Sequence, residues 1–380
     1  MNPALSFWER DTYFDNIDAV VIGSGIVGLN AAWQLRKMHK DLKILVLERG
    51  MLPLGASSKN AGFACFGSPG ELLDDVEKYG EETVFSLVEK RWKGLLMLRK
   101  NLGDKAIDFH NWGGYEVFDS KPKYQACADK LEYLNKHIGP IIGKKEVYKI
   151  ADRKIKAFGL NRVVGMILNT AEGQIDTGKM IRTLANKVQQ AGVLIINNFE
   201  VQALQDEGEE VMISSKNGIN FKSKRVIVCT NGFAKELLPN YPLLPARAQV
   251  LVTKPIKNLK IKGTFHFDDG YYYFRNIGNR VLFGGGRNLD FVGEQTSEFG
   301  LTEPVQNRLD YLLSHMIMPY AKPEIDMRWS GIMGLGPEKT TIIKAVSPNV
   351  YCAVRMGGMG IAIGSLVGEE VADLVSQSLK

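Results

Sequence analysis

The chain has 380 residues, of which 45% are hydrophobic and 24% charged. This length exceeds what a single core usually fills, so we expect two packed units. The net charge of +6 comes from lysines and arginines scattered along the chain. No clustered basic stripe is present, which argues against a nucleic-acid-binding protein. The electrostatic field of the net positive charge could still attract an anionic substrate.

The four cysteines, Cys65, Cys127, Cys229 and Cys352, lie far apart and show no CxxC or Cys/His spacing. This pattern predicts neither a metal site nor a disulfide framework, and we expect reduced, mostly buried thiols. The first residues are acidic and aromatic, unlike a signal peptide, and no apolar run reaches the length of a membrane span. We therefore expect a cytoplasmic protein without a transmembrane segment.

A βαβ unit is predicted near the start of the chain. Residues 18–23 form an apolar β-branched run, residues 26–35 continue with helical spacing, and residues 44–48 form a second buried strand. A loop rich in Gly, Ser and Asn follows. The helical stretch from about 71 to 102 then leads the chain into a second domain.

Two groups of later elements belong to different parts of the predicted fold. Segments 114–119, 249–255, 271–275 and 280–286 alternate or run apolar between turns, as antiparallel strands do. A helix over 176–191 and strands over 193–198 and 225–232 return to the first domain. Residues 350–375 predict a strand, a glycine-rich turn and a helix whose first amides would face a ligand.

Gly23, Gly25 and Gly28 form a GxGxxG motif directly after a predicted strand and directly before a predicted helix, and Glu48 follows 20 residues beyond Gly28. The first glycine permits a tight turn, the second lets the backbone approach a pyrophosphate, and the third lets helix and strand pack closely. The motif therefore predicts a dinucleotide site in which Glu48 accepts hydrogen bonds from ribose hydroxyls. An unrelated glycine turn is the alternative, and the motif does not distinguish FAD from NAD.

Eight motifs occur in a fixed order: VVIGSGIVGLNAAWQL, LERG followed by GASSKNAG, EGQIDTGKMIRTLANKVQQAGV, RVIVCTNGFAKELLP, PARAQVLVT, YYYFR, RWSGIMGLGP and GGMGIAIGSLVGEEVADL. Together they resemble the D-amino-acid oxidase family, which includes glycine oxidase, sarcosine oxidase, D-amino-acid dehydrogenases and γ-glutamylputrescine oxidase. The resemblance covers the chain from about residue 17 to 378.

The resemblance implies FAD as the cofactor. It places Gly23, Ser24, Gly25, Ile26 and Gly28 at the pyrophosphate, Glu48 and Arg49 near the adenosine ribose, and Ser57, Ser58, Asn60, Ala61 and Gly62 along the flavin side. It also places Val201 at the adenine, Thr230, Asn231 and Gly232 beside the cofactor, and Gly357, Gly358, Met359, Gly360 and Ile361 at the ribityl chain and the N1–C2=O edge of the flavin. Because GLGPEKTT has no Cys and SSKNAG has no His, we expect non-covalent FAD.

The implied fold is α/β, with a Rossmann-type FAD-binding domain and a second α+β substrate domain that carries a mixed or antiparallel sheet. We assign residues 15–75, 150–235 and 326–380 to the FAD-binding domain. Residues 76–149 and 236–325 are assigned to the substrate domain.

The substrate side departs from the best-known relatives. Family members that oxidise simple α-amino acids typically carry a carboxylate-binding Arg after the W-x-G-x element, where this chain has Met333, or in the last glycine turn, where it has Gly358 or Met359. Both arginines are absent. This favours a longer amine, a γ-glutamyl-type amine or an unusual acid over a plain α-amino acid.

Four residues are the candidates for substrate binding. Tyr271 matches a tyrosine that often faces the substrate in this family, although a strand with one buried face would also explain three successive tyrosines. Arg247, Arg287 and Arg355 lie close to family motifs and could each replace the missing clamp or form a structural ion pair. Neither His110 nor His266 is expected to act as a base.

The predicted function is FAD-dependent oxidation of a small amine or amino acid to an imine by hydride transfer to the flavin. Oxygen, a quinone or another carrier would then take the electrons. One alternative is a 2-hydroxy-acid dehydrogenase on the same fold, and another is a non-catalytic flavin-binding subunit that relays electrons. A tRNA-modifying oxidase is a third alternative that no basic cluster supports.

Overall fold

The computed structural model describes residues 4–379. The helices are α1 Phe7–Tyr13, α2 Ile26–Met38, α3 Ala56–Lys59, α4 Pro69–Tyr79, α5 Glu81–Leu102, α6 Lys121–Ala128, α7 Leu131–Ile142, α8 Arg153–Phe158, α9 Thr177–Gln190, α10 Glu303–Leu312 and α11 Gly360–Gln377. Short 3₁₀ turns lie at Asn231–Glu236 and Arg287–Leu289, and a π-helical turn at Leu313–Ile317. Among the described residues, no helix combines the length and apolar character needed to cross a membrane.

The strands lie in two large sheets and one small pair. They are β1 Ile17–Ile22, β2 Ile44–Leu47, β3 Phe63–Ala64, β4 Gly114–Phe118, β5 Tyr148–Ile150, β6 Gly165–Asn169, β7 Gly173–Gln174, β8 Leu194–Ile196, β9 Val201–Asp206, β10 Val211–Ser215, β11 Asn220–Val228, β12 Leu244–Thr253, β13 Thr264–Phe267, β14 Tyr272–Ile277, β15 Arg280–Gly285, β16 Ile325–Leu335, β17 Ile342–Ala345 and β18 Val350–Val354. Strands β3 and β7 form the small pair.

The first sheet contains the predicted βαβ unit. Its parallel strands run in the order β18, β11, β1, β2 and β8, while β17 pairs antiparallel with β18, and β10 with β11 and β9. Strand β2 is buried along its whole length, which explains its continuous apolar run. The predicted strands over 193–198 and 225–232 and the predicted C-terminal strand all belong to this sheet.

Four helices, α2, α5, α9 and α11, cover one face of the first sheet with their apolar side chains. Close packing depends on small residues, because a Cβ at Gly94 of α5 would lie 2.3 Å from the Ala362 carbonyl oxygen of α11. The opposite face packs against Phe14, Phe199 and Phe221 and against the β9–β10 hairpin. The α/β layering expected for the first domain is confirmed.

The second sheet is mixed and mostly antiparallel, as predicted. Its order is β16, β12, β15, β14, β13, β4, β6 and β5, and only β13 and β4 pair in parallel. One face packs on α10 and the turn after it. The other face carries Val250, Val252 and Leu282, and Ala61 of the loop before β3 packs against it. This second face is turned toward the cavity described below.

Two features differ from the sequence-based expectations. The helical stretch over 71–102 is two helices, because Gly80 adopts a φ of +82° between α4 and α5. Strands β6 and β16 pair in the second sheet, although residues 165–169 and most of 325–335 fall inside the ranges assigned to the first domain. Sheet membership depends on distant hydrogen-bonding partners, which chain order alone does not specify. The domain ranges therefore stay a prediction.

Candidate cofactor-binding and active site

A cavity of about 510 Å³ lies between the carboxyl ends of the first sheet's parallel strands and the inner face of the second sheet. This position is the usual ligand site of open α/β sheets, and the volume is typical of ligand pockets. Most of the predicted site residues line it: Gly23, Gly25, Ile26, Glu48, Arg49, Ser57, Asn60, Ala61, Gly62, Val201, Thr230, Asn231, Gly232, Tyr271, Arg287, Gly357, Gly358, Met359, Gly360 and Ile361. Ser24, Gly28, Ser58, Arg247 and Arg355 are not on its wall.

The GxGxxG turn joins β1 to α2 in a conformation that needs its glycines. Gly23 has a φ of +104°, which L side chains rarely adopt. A Cβ at Gly28 would lie 2.0 Å from the carbonyl oxygen of Gly23, so only glycine fits where the helix crosses the turn. Gly25 is the N-cap of α2 and lines the cavity. The start of α2 is therefore open to an anion.

Glu48 stabilises this turn from the end of β2. Its Oε2 accepts hydrogen bonds from the Ser24 N–H at 3.1 Å and the Ser24 hydroxyl at 2.8 Å. Its Oε1 accepts from the N–H groups of Gly50 at 3.0 Å and Leu54 at 3.3 Å. Four protein donors thus occupy the carboxylate. A contact with a ribose stays a prediction and would replace one of these bonds.

The loop after β2 lies beside the same helix end and lines the cavity with it. The Ser57 hydroxyl accepts the N–H of Ile26 at 2.9 Å. Asn60 shapes the loop, because its Oδ1 accepts from Gly62 N–H at 2.7 Å. Ser58 is exposed and its hydroxyl donates to the Pro53 carbonyl, so it lies away from the cavity. Arg49 lies over the Phe233 ring at 3.8 Å and pairs with Glu236.

The turns after β11 and β18 meet on the other side of the cavity. Asn231 Oδ1 accepts from the N–H groups of Arg355 at 3.0 Å and Met356 at 3.2 Å, which ties the two turns together. Gly357 and Gly358 have φ angles of +60° and +80° and lead into α11, whose first turn has no side-chain cap. A second helix N-terminus therefore opens on the cavity.

These features fit an extended dinucleotide. Two helix N-termini suit anionic or electron-rich groups, and the close glycine turn leaves room for a pyrophosphate at the backbone. The Thr230 hydroxyl is buried on the cavity wall and has no hydrogen-bond partner among residues 4–379. A bound polar ligand would satisfy it.

The three candidate arginines have different surroundings. Arg247 forms a bidentate pair with Glu294, with Nε–Oε2 at 2.8 Å and Nη2–Oε1 at 3.0 Å. Arg355 is buried and donates to Glu338 at 2.8 Å and to the Thr340 carbonyl at 2.7 Å. For both, the structural ion pair is the arrangement observed, and neither lines the cavity. Of the three candidate arginines, only Arg287 lines it.

Three successive tyrosines, Tyr271 just before β14 and Tyr272 and Tyr273 at its start, alternate between two environments. Tyr271 and Tyr273 line the cavity, whereas Tyr272 is buried in the core on the opposite face. Burial raises the pKa of Tyr273 to about 12, so its hydroxyl stays protonated at neutral pH. Tyr273 was not predicted as a site residue. The period of two along a strand is the signal that pairs it with Tyr271.

The positions of the two missing arginine clamps do face the cavity. Met333, Gly358 and Met359 all line it and carry no charge. Lys59, which sequence reasoning missed, also lines the cavity, and its ammonium lies 5.3 Å from the centre of the Phe299 ring. Lys59 stands inside the SSKNAG motif, which is the signal that could have identified it.

A buried polar group lies on the inner face of the second sheet. His266 Nε2 and Glu172 Oε1 are 2.6 Å apart, and both side chains are buried. Burial lowers the pKa of His266, but Glu172 and its hydrogen bond outweigh this and hold the pKa above its ordinary value. Glu116 faces His266 across the β4–β13 pair, and burial raises its pKa to about 7. His266 and Cys65 both line the cavity.

Comparison with known proteins agrees with this arrangement. The chain is 22% identical to a probable oxidoreductase OrdL of Haemophilus influenzae, covering 96% of this chain and 84% of that protein. It is 23% identical to human mitochondrial dimethylglycine dehydrogenase over 95% of this chain, but spans only 42% of that relative's length.

Among solved structures, L-proline dehydrogenase from P. horikoshii superposes with a TM-score of 0.76 at 20% identity, covering 95% of this chain and 94% of that one. Residues 18–374 match the family described as DAO, FAD dependent oxidoreductase. The chain therefore belongs to this family and is an FAD-dependent enzyme.

Proposed function

We propose that this enzyme oxidises a small amine or amino acid that carries a carboxylate or similar anion, giving an imine by hydride transfer to a dissociable FAD. The imine would then hydrolyse to a carbonyl compound. Oxygen, a quinone or another carrier would reoxidise the flavin.

The observation that carries this proposal is the position of Arg287 in the cavity without a salt bridge among the described residues. It lines the cavity, and within residues 4–379 its guanidinium forms no salt bridge with a carboxylate. Its neighbour is the Phe291 ring, 4.7 Å from the guanidinium carbon. Burial lowers the pKa of Arg287, yet an arginine stays protonated at neutral pH. An unpaired, half-buried cation in a ligand cavity favours an anionic group on the substrate.

The position of Arg287 relative to the tyrosines supports its role in orienting substrate. The N–H of Gly286 donates to the Tyr271 carbonyl at 3.0 Å, which fixes the start of the Arg287 turn beside Tyr271. Phe63 and Tyr273 form an edge-to-face pair with ring centres 5.7 Å apart. These rings would exclude water from a substrate held at its anionic end by Arg287.

Catalysis needs little acid–base chemistry from these residues. A bound flavin would supply the acceptor for a hydride from the carbon next to a neutral amine. Arg287 would bind the anionic end of the substrate, and Tyr271 and Tyr273 would hold the amine end against an aromatic wall. The N-terminus of α11 would stabilise negative charge that develops on the cofactor.

The names of two relatives support the substrate class. One similar protein is named for dimethylglycine and one similar structure for L-proline. Both names denote a nitrogen next to a carbon that bears a carboxylate. Because this chain lacks the two carboxylate-binding arginines of the family, we propose that Arg287 binds the substrate carboxylate in their place.

An Arg287→Met variant tests the proposal. We expect kcat/KM for a carboxylated amine to fall about 10- to 100-fold, since a charge-assisted hydrogen bond is worth about 1.5–3 kcal/mol. The matching uncharged amine should change little. Arg153→Met, at an exposed position in α8 outside the cavity, is the control. Equal losses for charged and uncharged substrates would contradict an anion-binding role.

A further inference from the structure

We propose that Cys65, Glu172 and His266 form a binding site for a single divalent cation of borderline softness, such as Zn²⁺, that opens on the cavity. The three residues come from distant parts of the chain. Their ligand atoms lie within 4.8 Å of one another, and all three side chains are buried. They form a possible metal-binding group among residues 4–379 that the cysteine spacing did not predict.

The hydrogen bonds of these residues leave atoms that could coordinate a metal ion without a strong partner. Glu172 Oε1 accepts from Thr264 Oγ1 at 2.8 Å and is paired with His266 Nε2. Glu172 Oε2, although buried, has no hydrogen-bond partner among the described residues. The Cys65 sulfur lies 3.7 Å from the Met359 sulfur. A buried carboxylate oxygen without a partner is costly, and a cation would satisfy it.

The donor set selects the ion. Thiolate, imidazole and carboxylate together suit Zn²⁺ or Co²⁺ and suit Mg²⁺ or Ca²⁺ poorly. In a tetrahedral zinc site the donor atoms lie roughly 3.3–3.8 Å apart. His266 Nε2 and Glu172 Oε1, which are 2.6 Å apart, would have to separate if both bound the ion, whereas a donor pair near the 4.8 Å limit of the group would have to close by about 1 Å. Thr264, bound to Glu172, would orient the carboxylate from outside the site.

The position of the site gives the ion an open coordination position. Cys65 and His266 line the cavity, so a fourth ligand would come from the cavity side. Charges of both signs surround the group: Glu116 lies opposite His266 in the sheet, Glu71 lines the cavity and pairs with Lys339 at 3.1 Å, and Arg91 acts on Cys65. Binding would release the Cys65 thiol proton, and the His266 proton if it is present, so affinity should rise with pH.

Equilibrium dialysis of the FAD-loaded protein against ZnCl₂, after chelator treatment, tests the site. We expect one zinc per chain, and a rise in Kd of about 100-fold or more in Cys65→Ala and in Glu172→Gln. Cys352→Ala is the matched control, because Cys352 is also buried and lies outside this group. X-ray absorption of bound zinc should show a sulfur ligand in the wild-type protein and none in Cys65→Ala.

Two results would overturn the proposal: no zinc on the wild-type protein, or zinc that Cys65→Ala binds as tightly as the wild type. If Glu172→Gln fails to fold, the Cys65→Ala result still tests the proposal, since within residues 4–379 the thiol's side-chain hydrogen bond is the weak one to Met359. The flavin spectrum reports folding in each variant.

Discussion

Glu48 binds both the backbone N–H and the hydroxyl of Ser24, at 3.1 Å and 2.8 Å, and so ties the end of β2 to the glycine turn after β1. The acidic residue of the fingerprint therefore holds the turn in shape within the protein itself. This role does not require a contact with a ribose.

A Glu48→Gln substitution should raise the Kd for FAD about 10- to 100-fold. The amide presents one acceptor instead of two, so part of a four-bond network of charge-assisted hydrogen bonds is lost. Fluorescence titration of the flavin-free protein measures the change. Glu200→Gln is the control, because Glu200 lines the cavity but pairs with Lys216. An unchanged Kd in Glu48→Gln would rule out a role for this network in binding.

A Gly28→Ala substitution should destabilise the protein by more than about 2 kcal/mol, because the added methyl would overlap the Gly23 carbonyl oxygen at 2.0 Å. Gly55→Ala is the matched control, since a Cβ at that N-cap position meets nothing within 4 Å. We expect it to cost at most about 1 kcal/mol, the usual cost of placing alanine at an N-cap. Urea unfolding of the two variants gives the comparison, and equal midpoints would contradict the close approach of α2 to the turn.

Stability should depend on the protonation of Glu116. Burial raises its pKa to about 7 in the folded chain from 4.5, against a hydrogen bond from Gly70 that lowers it. The folded state therefore binds the proton more tightly, and this contribution is complete below about pH 4.5 and lost as pH rises through about 7. His266, Asp269 and Glu71 also act on this carboxyl.

The Glu116→Gln variant isolates that contribution. It should lose less stability between pH 4.5 and 7 than the wild-type protein does, by roughly 3 kcal/mol at most. Chemical unfolding at several pH values measures how the free energy of unfolding of each protein changes with pH. Parallel stability curves for the two proteins would show that Glu116 does not carry the effect.

The parts of the fold that sequence predicted correctly are those whose signal is local. The strand before Gly23, the helix after Gly25 and the helix that follows Asp176 each depend on residues within one or two turns. The strands of the second sheet were recognised for the same reason, from apolar alternation between turns.

The parts that sequence did not predict depend on distant partners. Arg247 pairs with Glu294, 47 residues away, and His266 with Glu172, 94 residues away. The neighbouring sequence did not separate Arg247 from Arg287, and only the fold shows that, within residues 4–379, Arg247 forms a salt bridge with a carboxylate and Arg287 does not. The sheet to which β6 and β16 belong is likewise determined only by the strands with which they pair.

Anaerobic titration of the purified, FAD-loaded enzyme with amines, D- and L-amino acids and 2-hydroxy acids tests the central proposal most directly. We predict that a carboxylated amine bleaches the flavin absorption, that the product is an imine or its carbonyl hydrolysis product, and that acid precipitation releases intact FAD. Bleaching by 2-hydroxy acids alone, or by no small molecule at all, would contradict amine oxidation as the function of this enzyme.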